Sequence, residues 1–202
     1  MTGDEKDERR AVSDVDDGLC PVTCHALPVT LNLGCGRRRV EGAVNVDVTA
    51  RTEPDVVHDL NVRPWPLPAG HFREVIARDV IEHLEDTFAV FEEIHRVARA
   101  GAVVRVTVPH FSSSDAYSDP THRRFFGRAS LDFLNESNEN SFYTAARFRE
   151  RACRLVFRPS LVNRLVERLA NRHAAAYERR WAWTFPAWFI YFELEVLKGG
   201  EQ

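Results

Sequence analysis

Gly34-Cys35-Gly36 and Asp47 are the residues of this chain whose types and spacing point most directly to chemistry. A glycine lets a backbone N–H approach a ligand with no Cβ in the way. A carboxylate at the end of a following strand can accept hydrogen bonds from both hydroxyls of a ribose, and charge-assisted bonds of that kind are the stronger ones. The combination reads as a cradle for a nucleoside. Spacing then separates two ligand classes. The dinucleotide fingerprint requires G-x-G-x-x-G followed by an acidic residue about 20 positions on. Counted from Gly34, the third glycine position holds Arg39, and Asp47 follows Gly34 by 13 residues. Pyrophosphate binding is therefore poorly supported.

The elements that must position these groups can be read from apolar runs. Val29 to Leu33 predicts a strand entering the glycine loop, and Ala43 to Val46 a second strand ending at Asp47. Seven residues, Arg37 to Ala43, follow Gly36, so at most a turn of helix fits between the strands at about 1.5 Å rise per residue. Without a helix N-terminus there, Arg37, Arg38 or Arg39 is a candidate positive charge for a ligand carboxylate. Asp55 to His58 predicts a short third strand, and Phe72 to Ala77 a fourth. Between them, Arg63-Pro64-Trp65-Pro66-Leu67-Pro68 reads as a rigid loop, because each proline removes a donor and restricts its predecessor. Phe88, Phe91, Ile94 and Val97 recur at helical spacing from about Thr87 to Arg99, with Asp86 as N-cap and Gly101 as C′ residue.

Ala102 to Val108, rich in apolar and β-branched residues, predicts a strand buried on both faces. Arg151 to Arg158 and Phe189 to Leu197 complete the strands, with Leu161, Leu165 and Leu169 on one face of an intervening helix to about Tyr177. The alternation predicts an α/β fold: a Rossmann-like open, mostly parallel seven-stranded sheet whose last strands form an antiparallel pair.

The motifs Leu31-Asn32-Leu33-Gly34-Cys35-Gly36, Asn45-Val46-Asp47, His58-Asp59-Leu60-Asn61 and Ile81-Glu82-His83-Leu84 resemble those of class I S-adenosylmethionine-dependent methyltransferases, in a type 11-like branch with a shortened first helix. Asp119-Pro120-Thr121-His122 also resembles that branch. The resemblance implies S-adenosylmethionine as cofactor, contacted by Asn32, Gly34, Cys35, Gly36, Asp47, Val48, Asp59, Leu60, Asp79, Val80 and His83. In the family the Asp59-Leu60 position lies beside the adenine, and the segment from Asp79 passes next to the sulfonium centre. The polar and aromatic segment after Pro109 falls where an acceptor should approach. It supplies His110, Asp119 and His122 as candidate bases, Arg123 and Tyr117 as candidate substrate contacts, and Arg124 as a second arginine for an anionic group. Each of the three candidate bases could equally brace its loop, with Asp119 capping a turn before Pro120. His110, Asp115, Asp119 and His122 could also gather around a divalent ion, but loop spacing does not establish this and no metal site is assigned.

At 202 residues the chain is expected to form one domain over 28–202, with 109–150 on the substrate side and 151–202 as a final strand–helix–strand. Residues 1–18 carry seven acids against three bases, and 1–27 is expected to be a disordered acidic tail. Residues 121–180 carry thirteen arginines against six acids, which suits either an anionic partner or a solvated surface. Four cysteines make no disulfide framework in a chain of this length, and Cys20-x3-Cys24-His25 has no matching second pair. The charged N-terminus is unlike a signal peptide, and the aromatic stretch from Trp181 is too short to span a bilayer, so a cytoplasmic protein is expected. The expected function is methyl transfer to a small-molecule or glycan-like acceptor. The alternatives are an RNA methyltransferase, which would use the arginines on phosphates, and a catalytically silent cofactor-binding scaffold. The first lacks a recognised nucleic-acid module, and Arg78-Asp79-Val80-Ile81 stands where amino-methylating DNA enzymes carry Asn/Asp-Pro-Pro-aromatic. The second has no use for both Asp47 and Asp59.

Overall fold

Leu31, Leu33, Val44, Val46, Val75 and Ala77 are almost fully buried and stack three neighbouring strands into the centre of one sheet. The computed structural model describes residues 29–139 and 141–199. The expected tail over 1–27 and the Cys20-x3-Cys24-His25 cluster lie outside the described residues. The strands are β1 (Thr30–Leu33), β2 (Val44–Asp47), β3 (Val56–Val57), β4 (Phe72–Arg78), β5 (Ala98–Pro109), β6 (Arg147–Val156) and β7 (Phe189–Leu197). They form a seven-stranded sheet in the order β3-β2-β1-β4-β5-β7-β6. The pairings from β3 through β5 are parallel, and β7 runs antiparallel to both β5 and β6. Strand order reverses between β1 and β4, the point at which open α/β sheets form their ligand crevice.

Among the described residues four α-helices accompany the sheet: α1 (Thr87–Val97), α2 (Asp115–Ser118), α3 (Leu161–Arg172) and α4 (Ala174–Arg180). Asp86 caps α1 as expected, accepting from the Ala89 N–H at 3.1 Å. The helix ends at Val97 rather than Arg99, because Ala98 already pairs with Phe72 as the first residue of β5. Gly101 is therefore not a helix C′ residue. It supplies a positive φ of 74° inside an irregular stretch of β5, where the register against β4 shifts.

Three further expectations are corrected. The strand over 102–108 is not buried on both faces: Val104, Val106 and Val108 are fully buried, but Arg105 points to the other side and bridges Glu74 of β4 and Glu193 of β7. Charge on that face is carried across strands as an ionic row. Next, β6 starts at Arg147, inside the region assigned to the substrate side, because Phe148 is buried while Arg147 and Arg149 turn outward. Finally, the single helix expected after Leu161 is two helices, broken at His173, and the leucine stripe faces solvent, with Leu161 85% exposed.

Candidate active site

The loops at the carboxyl ends of β1 to β4 enclose a cleft of about 500 Å³ lined by Gly34–Arg38, Asp47, Val48, His58–Asn61, Arg78–Val80, His83 and Leu84. Its floor depends on one glycine. Gly34 has φ +57° and faces Val80 so closely that an added Cβ would sit 2.3 Å from a Val80 methyl carbon. The approach of the β1 and β4 loops therefore requires a residue without a side chain. Gly36, also at positive φ, has open space where a Cβ would be, and its N–H donates to Asp47 Oδ2 at 2.7 Å. Asp47 Oδ1 accepts from the Thr49 N–H at 3.0 Å. Both carboxylate oxygens are thus fixed by backbone donors, and each keeps acceptor capacity toward the cleft. Asp59, on the opposite rim, closes a local turn by accepting from Asn61 at 2.9 Å.

No helix forms over Arg37–Ala43. An amide network takes its place. The Asn32 amide donates to Arg38 O and Asn45 Oδ1; Asn45 in turn accepts from Val40 N–H and donates to Val40 O and Asp55. Burial opposes ionisation of Asp55, but the Asn45 N–H, the Asn45 amide and Arg39 outweigh it and hold its carboxyl below the ordinary range. Asn32 is consequently a buried pin beneath the loop and lies outside the cleft lining, contrary to its expected role as a cofactor contact. Arg39 is likewise outside the lining and ion-paired to Asp55 at 2.8 Å. Arg37 and Arg38 remain on the wall, with Arg38 paired to Asp79 at 2.6 Å.

The third wall is the turn after β4. Asp79 adopts φ +52°, uncommon for a residue with a side chain, and its Oδ1 is buried without a hydrogen-bond partner. Three residues on, Glu82 is 1% exposed, and neither of its carboxylate oxygens has a partner. Burial pushes its carboxyl up to about 8, with Asp79 and Asp119 adding to the effect. The Glu82 carbonyl accepts the N–H groups of Arg123 (2.8 Å) and Arg124 (3.1 Å), which docks the segment after Pro120 onto this turn. That docking sets the His122 ring edge-on to His83, with centroids 4.6 Å apart. His122 Nε2 lies 4.0 Å from Glu82 Oε1, too long for a hydrogen bond.

Residues 31–106 match the family model for a methyltransferase domain. Among solved structures, a SAM-dependent methyltransferase from Archaeoglobus fulgidus is similar with a TM-score of 0.58 and 17% identity, over 84% of this chain and 86% of that one. An S-adenosylmethionine-dependent methyltransferase from Mesorhizobium loti matches with a TM-score of 0.52 and 14% identity, over 89% and 99%. The YcgJ protein from Bacillus subtilis matches with a TM-score of 0.54 and 13% identity, over 88% and 94%. At these identities the likeness is one of fold. No curated protein sequence matches the chain. The fold is that of the class I methyltransferases.

Within this methyltransferase fold the candidate bases separate. His110 is fully buried, bonded to Ser112 Oγ at 2.7 Å and Glu178 Oε1 at 3.2 Å, and packed on Phe111 and Tyr177. It ties the end of β5 to α4 and does not reach the cleft. This corrects its assignment as a base. Burial resists the charge on Glu178, but His110 and the Arg128 N–H hold its carboxyl below the ordinary range. Asp119 accepts from both the N–H (2.8 Å) and the hydroxyl (2.6 Å) of Thr121, and these bonds lower its pKa. It is the turn brace, one residue removed from His83, whose Nδ1 is 2.8 Å from Thr121 Oγ1. His122 alone of the three stands in direct ring contact with a cleft residue.

The substrate-side candidates are peripheral. Arg123 is exposed and paired with Glu85 at 3.0 Å, and Arg124 bonds to the Glu85 carbonyl. Tyr117 stacks on Phe125 at 4.9 Å on the surface. Phe125 also lines a second, aromatic concavity of about 510 Å³ with Phe88, Phe133 and Tyr143. Sequence reasoning passed over Glu82 and Asn45 although both lay inside quoted motifs. The available signal for Glu82 was an acid set between the apolar Val80-Ile81 pair and Leu84.

Proposed function

We propose that this protein transfers a methyl group from S-adenosylmethionine to a small-molecule or glycan-like acceptor approaching from the 110–124 side. One observation carries the reading. Glycine loop, strand-end aspartate, Asp59 rim and Asp79–His83 turn converge on a single cleft at the sheet's switch point. The residues fit the cofactor. Gly34 and Gly36 offer a floor free of side chains, Asp47 stands where ribose hydroxyls would be held, and Arg37 or Arg38 can meet a carboxylate. When bound, S-adenosylmethionine supplies a methyl group on an already activated sulfonium. The chain's task is then to hold the acceptor in line, an alignment that can contribute about 7–11 kcal/mol in favourable cases. His122, in ring contact with the cleft residue His83, and Glu82, 4.0 Å from His122, are the groups we assign to hold or move a proton for the acceptor. The second concavity, sharing Arg124 and Phe125 with the docked segment, supports an acceptor with an apolar portion.

The nucleic-acid alternative receives less support. Much of the arginine surplus is spent internally: Arg128 on Glu150 and Asp132, Arg149 and Arg151 on Glu195, Arg158 on Asp115. Among the described residues no helix is long and apolar enough to cross a membrane; a cytoplasmic setting is part of the proposal. Isothermal titration with S-adenosylmethionine, S-adenosylhomocysteine and NAD tests it. Binding of both sulfur compounds and not NAD is expected. Absence of binding by either sulfur compound overturns the reading.

A further inference from the structure

One ligand atom from each of Glu82, His83 and His122 lies within 4.8 Å of the others, beside the cleft that His83 lines. We propose that these three residues form a binding site for a divalent transition-metal ion. The set differs from the one weighed in the sequence. His110 is committed to Ser112 and Glu178, and Asp115 to Trp188 and Arg158, so neither belongs to it.

Two independent features point to a cation here. The first is the Glu82 carboxylate, 1% exposed with both oxygens lacking a hydrogen-bond partner. Buried polar groups are almost always hydrogen-bonded, and an orphaned one calls for a ligand or ion. Asp79 Oδ1, buried and orphaned on the preceding turn, adds to the same demand. The carboxylates facing the cluster are Asp79 and Asp119, against Arg38, which is already paired with Asp79. The second feature is the set of histidine tautomers. His122 Nδ1 lies 3.0 Å from the Ala116 carbonyl, which only an N–H can satisfy, so the lone pair is on Nε2, the nitrogen facing Glu82. The Thr121 hydroxyl donates to Asp119, so it must accept from His83 Nδ1–H, which leaves the His83 lone pair on Nε2 as well. A carboxylate–hydroxyl–imidazole relay of this type is how ligating histidines are oriented.

Two imidazoles and one carboxylate favour the Mn²⁺-to-Zn²⁺ series over Mg²⁺ or Ca²⁺. Metal–ligand distances of about 2.0–2.2 Å would draw the three side chains inward from their present spacing. With three protein ligands, coordination positions stay open, and an oxygen of the acceptor could occupy one; this last consequence, unlike the site itself, rests on the methyl-transfer reading.

Titration of the full chain with Co²⁺, followed by visible absorption and calorimetry, tests the site. One equivalent is expected to bind with a d–d band that Zn²⁺ abolishes. Glu82→Gln and His122→Asn are each expected to weaken binding at least 100-fold. Thr121→Val removes no ligand but frees the His83 tautomer and takes one hydrogen bond from Asp119, so it is expected to weaken binding about 10- to 100-fold; it keeps the test decisive if a ligand variant fails to fold by circular dichroism. Asp47→Ala should leave Co²⁺ affinity unchanged. No Co²⁺ binding overturns the proposal, as does affinity undiminished in the folded variants, or a persistent thiolate-to-cobalt charge-transfer band. Titration of the same samples with S-adenosylmethionine separates the two claims: Co²⁺ binding without cofactor binding removes methyl transfer and keeps the metal site, and the converse removes the metal site alone.

Discussion

Glu93 and Glu82 are both buried carboxylates close to α1, and they have opposite surroundings. Glu93, 8% exposed, accepts from the Trp65 N–H at 2.8 Å and from both Nε and Nη2 of Arg96 at 2.8 Å. Arg96 continues to the Trp65 and Leu67 carbonyls, so one helix residue clamps the proline-rich loop. Burial opposes the charge on Glu93, yet Arg96 and the Trp65 N–H prevail and lower its pKa. Glu82 has none of these partners, and its pKa moves the other way. A fully satisfied buried charge marks a structural joint; an unsatisfied one beside a cleft marks a place built for something else.

The contrast can be attacked from several directions. Glu93→Ala strands the Trp65 N–H and takes the counter-charge from the Arg96 guanidinium, and is expected to cost about 2–4 kcal/mol of stability by urea denaturation. Asp47→Ala tests the cleft itself: calorimetry should show cofactor affinity reduced by about 1–3 kcal/mol, the scale of hydrogen bonds to a charged group. His110→Ala belongs with Glu93, and a loss of about 1–2 kcal/mol in stability at unchanged cofactor affinity is expected. An altered affinity with intact stability would return His110 to the site. The sign of the pH dependence is a fourth check. Because the folded-state pKa of Glu93 lies below its ordinary 4.5, its contribution is present above pH 4.5 and drains away as pH falls through the lowered value. Denaturation at a series of acidic pH values should show that loss, and Glu93→Gln should flatten it. The smallest effect belongs to Glu82→Gln: burial already keeps this carboxyl largely protonated near neutral pH and nothing hydrogen-bonds it, so the isosteric amide should change metal-free stability by less than about 1 kcal/mol. A larger loss would expose a structural role and erase the contrast.

What the sequence revealed is what local spacing controls. The strand–glycine–strand–Asp47 stretch, the Asp86 cap and the number and order of the strands follow from short-range periodicity and turn chemistry and stand as expected, while β5 and β6 each begin four residues earlier than expected. The missing helix after Gly36 was a matter of length alone. Spacing could not tell which face of an element is covered. Leu161, Leu165 and Leu169 make a helical stripe whichever way it points, and here it points outward. Arg105 sits in a run that looks doubly buried until Glu74 and Glu193 arrive from strands distant in sequence. The site shows the same limit. His110 and His122 are alike as letters in one polar segment, and only the docking of Arg123 and Arg124 N–H groups on Glu82 decides which of them meets the cleft. Glu82 went unread because its significance is the absence of a partner, which is a property of space.

Cys35 turns the glycine loop into a clock. Its side chain is 3% exposed, its N–H is held by the Val46 carbonyl at 3.0 Å, and burial followed by Asp47 raises its pKa. A disulfide reagent can therefore reach a reactive thiolate only during excursions of the loop. Cys153, pushed up to about 12 by burial, stays silent over the same period. With Cys20 and Cys24 replaced by serine, the rate of Cys35 labelling reports how often the cradle opens. Any nucleoside that closes it should slow the reaction in proportion to occupancy, without a substrate in hand.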